Sequence, residues 1–176
     1  MCVRAILACV PTSEQGNRGM PSRSAGLSPR LAAIVDALPL RPGMRVLEIG
    51  CGPGAAARAV ARRIGDGHVL AIDRSEKAVE QATATSADEI AAGRLSVRRA
   101  AAEEFELQAG EAPYDIAFAI RVGALDGRHP EAEKQALERI AAALVPGGRL
   151  FVDGGDPLRE IPLRLAAAEP AAPRPT

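Results

Sequence analysis

Tryptophan is missing from this 176-residue chain, and other aromatic side chains are scarce: three Phe and one Tyr. Base-stacking platforms and aromatic cages for quaternary amines both need several rings, so neither function is expected. Charge of one sign is lacking too. Twenty-two basic residues balance 22 acidic ones, so there is no field strong enough to hold nucleic acid non-specifically. The pairs Arg62-Arg63 and Arg98-Arg99 read as solvated helix or strand ends. No run reaches the ~20 apolar residues of a membrane span. The apolar stretch Ala5 to Val10 is six residues long before Pro11, shorter than the roughly 7–15 of a signal-peptide core. Three cysteines, Cys2, Cys9 and Cys51, show neither metal-ligand spacing nor a disulfide framework. Their pattern fits a reducing cytoplasm and no metal site.

What remains is an ordinary globular mixture, 47% hydrophobic and 25% charged, of single-domain length. Residues 1–27 read as a loop-rich N-terminal segment. Residues 28–155 form the core, and 156–176 a short Pro-rich extension whose end is expected to be disordered. Ser28 can cap a helix with Pro29 in its first turn, and Leu31, Ile34, Val35 and Leu38 give it one apolar face. Strands are expected at Arg45 to Ile49, His68 to Asp73, Leu95 to Arg98, Tyr114 to Ile120 and Arg149 to Asp153, with a sixth around Ile161 to Leu165. Between them lie helices at Ala55 to Ile64, from Ser75 to the stop at Gly93, and from Pro130 to Leu144. This alternation of near-continuously apolar strands with helices implies a doubly wound, mostly parallel α/β sheet covered on both faces.

The chemistry concentrates at Glu48-Ile-Gly50-Cys51-Gly52-Pro-Gly54, where the first strand breaks into a glycine loop ahead of a helix. Such a loop brings backbone close to a ligand at a helix N-terminus. Gly50, Gly52 and Ala55 also satisfy the dinucleotide pattern G-x-G-x-x-G/A, which keeps a nicotinamide-dependent oxidoreductase open as an alternative. Asp73, 21 positions after Gly52, ends the second strand where a carboxylate can accept from both hydroxyls of a ribose, or can merely cap the next helix. Glu48 separates the ligands. A carboxylate there repels pyrophosphate but suits a cationic ligand, such as S-adenosylmethionine with its sulfonium and ammonium groups.

With these residues in place the chain resembles the class I, Rossmann-like S-adenosylmethionine-dependent methyltransferases. The resemblance rests on the Glu48 to Gly54 loop, Ile72-Asp73, Tyr114-Asp115, and Val145-Pro146-Gly147-Gly148-Arg149-Leu150, in family order over roughly residues 28 to 155. It implies strand order 3-2-1-4-5 and S-adenosylmethionine as cofactor. Glu48 and the backbone of Gly50, Cys51, Gly52 and Gly54 would hold the methionine portion. Asp73 would bind the ribose, with Arg74 beside the adenine, and Ile120 and Arg121 would lie near the amino-acid end and the methyl group. Many members carry an adenine-binding acid after the third strand; here Ala101 stands there, and Glu103 or the backbone of Ala102 would substitute. The family's C-terminal hairpin is abbreviated or absent, leaving a sheet edge for a second copy or another partner to cover.

The segment Arg121 to His129 follows the fourth strand, on the side where an acceptor should arrive. His129 is the candidate general base, or else simply precedes the helix-opening Pro130. Asp126 and Arg128 are candidate acceptor-binding residues; Arg121 and Arg128 either bind an acidic acceptor or pair with Asp126. The fourth strand lacks the Asn/Asp-Pro-Pro-Tyr ending of amine-methylating relatives, reading Ala119-Ile120-Arg121-Val122 instead, which favours a small-molecule acceptor. A non-catalytic cofactor-binding module, acting as regulator or subunit, is the second reading.

Overall fold

A computed structural model describes residues 27–163. The readings made for the stretch Ala5 to Val10, for Cys2 and Cys9, and for the C-terminal tail lie outside these residues. Helix α1 (Pro29–Ala37) begins as expected: the Ser28 hydroxyl accepts from the Leu31 N–H at 3.3 Å, with Pro29 in the first turn. The elements that follow are β1 (Arg45–Ile49), α2 (Ala55–Arg63), β2 (His68–Asp73), α3 (Glu76–Thr85), α4 (Ala87–Ala91) and β3 (Leu95–Arg99). After a 3-10 turn at Ala102–Glu104 come β4 (Tyr114–Ala119), a second 3-10 turn at Gly123–Leu125, α5 (Pro130–Ala143), β5 (Leu144–Asp153) and β6 (Leu158–Ile161).

The strands form one sheet in the order β3-β2-β1-β4-β5-β6. The first five are parallel, with Val46 paired to Val69 on one side and Ile116 on the other, and β6 runs antiparallel to β5. Strands buried on both faces explain the near-continuous apolar runs. On one face Val46, Val69, Ile116 and Phe118 pack with Val35 of α1 and the alanines of α2. On the other Leu47, Leu70, Ala117 and Leu150 pack with Ile140 of α5 and with Phe105. Each fully buried Val, Leu, Ile or Phe contributes about 1.5–3 kcal/mol. Among the described residues no helix is long and apolar enough to cross a membrane.

Three expectations need correcting. The helix after Asp73 does not run unbroken to Gly93 but breaks at Ser86, which is fully buried. The Arg58 guanidinium donates to the Thr85 hydroxyl at 2.7 Å, and that hydroxyl lies 2.9 Å from both the Pro53 and Gln81 carbonyls. Hydroxyl competition of this kind interrupts helices. Strand β5 begins at Leu144 rather than Arg149, because the Pro146-Gly147-Gly148 segment is absorbed as an irregularity between the pairs Tyr114–Leu144 and Ile116–Arg149. Strand β6 lies at Leu158–Ile161, earlier than the expected 161–165 and inside the stretch read as an extension. Gly154 and Gly155 turn the chain early, Leu158 pairs with Asp153, and Pro162, having no N–H, stops the ladder. The order 3-2-1-4-5 stands, extended by one strand.

Candidate functional site

In a parallel sheet every strand ends at the same edge, so the loops after β1, β2, β4 and β5 converge. The Gly50 N–H donates to the Ile72 carbonyl at 2.8 Å and the Cys51 N–H to the same oxygen at 3.0 Å, tying the glycine loop to β2. A Cβ on Gly50 would sit 2.6 Å from Cγ2 of Val122, and its φ is +69°. Only glycine lets the β1 and β4 loops approach this closely. Gly54 serves another purpose. As the N-cap of α2 at φ +74°, it lies where a Cβ would meet Ala82 and Ser86 at 3.2 Å, so it sets helix packing rather than lining a cavity.

Glu48 is the outlying group. It is 3% exposed, and among the described residues its Oε2 has no hydrogen-bond partner. Burial pushes its carboxyl up to about 8, while the Ala57 amide and Arg58 draw it down and Asp73 pushes it further up. Glu48 lines a cavity of about 230 Å³ together with Arg30, Gly50, Cys51, Gly52 and Ile120. The Cys51 thiol is pushed up to about 12, mainly by burial and then by the neighbouring Glu48 and Asp73. Both causes favour the neutral thiol over the thiolate, the nucleophilic form.

Asp73 is held by backbone amides: its Oδ2 accepts from the Gly52 N–H at 3.0 Å and its Oδ1 from the Ser75 N–H at 2.9 Å. Ser75, not Asp73, is the N-cap of α3. Each carboxylate oxygen keeps a second lone pair. Asp73 lines a second cavity of about 180 Å³ with Arg74, Ala101, Ala102, Glu103 and Gly123. The expected residues of the β2 and β3 ends thus come together around one space.

A third cavity, of about 360 Å³, opens beyond β4 and β5 between Arg121, Asp126, Arg128, Asp153 and Arg159. The Asp126 carboxylate accepts from the Arg128 N–H at 3.0 Å and its Nε at 2.7 Å, and this guanidinium holds the carboxyl below its usual range. Arg121 borders all three cavities. Its φ of +58° makes it the only non-glycine left-handed residue among those described, a conformation that persists only when the surroundings impose it. Asp153 imposes it. One carboxylate oxygen accepts from the Arg121 N–H at 3.0 Å, and the other pairs with the Arg30 guanidinium of α1 at 3.0 Å.

The structure leaves His129 outside these linings. It is the exposed N-cap residue of α5 and makes no side-chain capping bond. His68, at the start of β2, is anchored 3.0 Å from the Gly93 carbonyl. Sequence reasoning missed Arg30, Asp153 and Arg159. Asp153 had a signal: like Asp73, it is an acid closing a parallel strand at the ligand-binding edge.

Residues 46–148 match the model of a family described as "Methyltransferase domain". The chain is 37% identical to the protein-L-isoaspartate O-methyltransferase of Methylorubrum populi, over 80% of this chain and 58% of that protein. It is 36% identical to the nocamycin O-methyltransferase of Saccharothrix syringae, over 76% of this chain and 48% of that one. The chain thus spans about half the length of these relatives. Among solved structures, it is similar to an S-adenosylmethionine-dependent methyltransferase from Thiobacillus denitrificans in complex with S-adenosyl-L-homocysteine. That likeness has a TM-score of 0.55 and 25% identity, over 71% of this chain and 48% of the other.

Proposed function

Because the chain belongs to the methyltransferase domain family, we propose that it transfers the methyl group of S-adenosylmethionine to a small-molecule acceptor. The observation that carries this reading is Glu48: a buried carboxyl whose Oε2 has no partner among the described residues, beside a glycine loop and lining a cavity. An ammonium group is the partner such an acid lacks, because it would stabilise the ionised carboxylate that burial disfavours, whereas a pyrophosphate would disfavour that form further. The residues present therefore fit this cofactor better than a dinucleotide.

Under this reading Glu48 takes the ammonium, and the Gly50 to Gly52 backbone flanks the methionine portion. Asp73 accepts from the ribose hydroxyls, while Arg74, Ala102 and Glu103 enclose the adenine. Ile120 and Arg121 border the reacting end. When bound, the sulfonium supplies an electrophilic methyl group and leaves as a neutral thioether. The chain's own contribution is alignment, holding an acceptor nucleophile against that methyl group while the walls keep water out. The lining of the third cavity contains no imidazole. His129 is close enough to lower the Asp126 carboxyl, so it serves as base only for an acceptor that extends past Asp126 toward the start of α5. Cys51, a free buried thiol, suits the cytoplasm as the place of action.

Thermal unfolding with S-adenosylmethionine, S-adenosylhomocysteine and NAD tests this reading. The first two, at 100 times their dissociation constants, should stabilise the fold by ~2.7 kcal/mol. Stabilisation by NAD alone would overturn it.

A further inference from the structure

The sequence leaves open whether the arginines after β4 bind an acidic acceptor or pair with Asp126; the structure divides them. Arg128 is folded back onto Asp126, and the other acid of the third cavity, Asp153, has one oxygen taken by the Arg121 N–H and the other by Arg30. Both carboxylates thus already have an arginine as ion-pair partner. The guanidiniums of Arg121 and Arg159 remain, and neither has a carboxylate partner among the described residues. Both line the same cavity of about 360 Å³.

Arg159 is placed there by the sheet itself. It pairs in register with Val152, another residue of that lining, and its Nε lies 3.9 Å from where a Cβ on Gly154 would stand. Arg121 is fixed from the other side by the Asp153 contact to its backbone. Two exposed arginines, one in the loop after β4 and one on β6, line one space, and the planar donor fork of a guanidinium matches an oxyanion. The first cavity differs in holding a buried acid, Glu48, whose Oε2 lacks a hydrogen-bond partner among the described residues, alongside Arg30 and Arg121.

We propose that the acceptor is an anionic small molecule whose carboxylate or phosphate is held in the third cavity by Arg159, with Arg121 between it and the cofactor. This rests on the methyl-transfer reading above for the word acceptor, but the anion site stands on its own geometry. Arg159 is then a specificity-determining residue that does not border the first two cavities.

The test titrates the protein loaded with S-adenosylhomocysteine with benzoate, phenyl phosphate and the neutral benzamide. At least one of the two anions should bind about tenfold or more tightly than the amide, and the two anion arms separate carboxylate from phosphate. Arg159→Gln should weaken the preferred anion about tenfold, Arg159→Lys less, with the affinity for S-adenosylhomocysteine unchanged; added salt should weaken wild-type anion binding. If benzamide binds as well as both anions, or if Arg159→Gln binds them as wild type does, the inference is overturned. If S-adenosylhomocysteine does not bind but Arg159-dependent anion binding persists, the methyl-transfer reading falls and the anion site remains.

Discussion

In the loop after β1 the holding is done by backbone amides: Gly50 and Cys51 share the Ile72 carbonyl, and Gly52 donates to Asp73. In the loop after β4 it is done by charge. Asp153 fastens Arg121 and Arg30, and Asp126 is clasped by an exposed Arg128. The two loops touch at Gly50 and Val122, yet one is held by backbone amides against β2, the other also by ion pairs whose arginines are exposed. A rigid half suits a ligand that never varies. A half built from exposed ion pairs, each individually weak, can be reshaped by substitution without disturbing the rigid one.

The largest expected effect breaks the contact between the halves. Gly50→Ala forces a side chain into left-handed backbone and against Val122, and should cost roughly 2–4 kcal/mol in urea unfolding. Adding Val122→Ala should restore the steric share and leave the backbone share, whatever the salt concentration. An unaltered midpoint for Gly50→Ala would mean that the loops do not pack as described.

Glu48 sharpens the contrast through pH. Its carboxyl titrates at about 8 in the folded chain against an ordinary value of 4.5, so between these values the folded state holds a proton that the unfolded state has released. Stability should therefore fall as pH rises through this window, by at most ~1.4 kcal/mol per pH unit. Glu48→Gln should abolish the fall, as seen in melting temperatures across the window. It should also weaken S-adenosylmethionine about tenfold at the alkaline end.

The smallest effect belongs to the charged half. Asp153→Asn loses one ion pair and loosens the Arg121 turn, and should cost about 1 kcal/mol at low ionic strength. Wild type and variant should converge as salt is added. A difference that ignores salt would place Asp153 with the rigid half.

The same division separates what the sequence discloses from what it hides. Gly50 is legible because its left-handed backbone and the contact with Val122 admit only glycine, Glu48 and Asp73 because an acid stands out in an otherwise apolar strand, and β1 and β2 because burial on both faces leaves an apolar run. The family match over residues 46–148 and the sheet order agree with that reading. The break at Ser86 was hidden because it depends on Arg58 and Pro53, residues from another element. Arg30 and Asp153 are 123 positions apart, and nothing local marks either as the other's partner. Arg159 was overlooked because β6 was placed too late, across Pro162 at Ile161 to Leu165 rather than before it.

Strand β6 has one further consequence. It is the last strand of the sheet, and only its β5 side is paired among the described residues. An open row of amides and carbonyls invites other chains to stack and aggregate. Here the row is four residues long, carries Arg159 and Glu160 at its centre, and is cut off by Pro162. Arg159 therefore also puts a charge on this open edge, of the kind that discourages edge-to-edge pairing, and variants that neutralise it should be watched for loss of solubility as well as of anion binding.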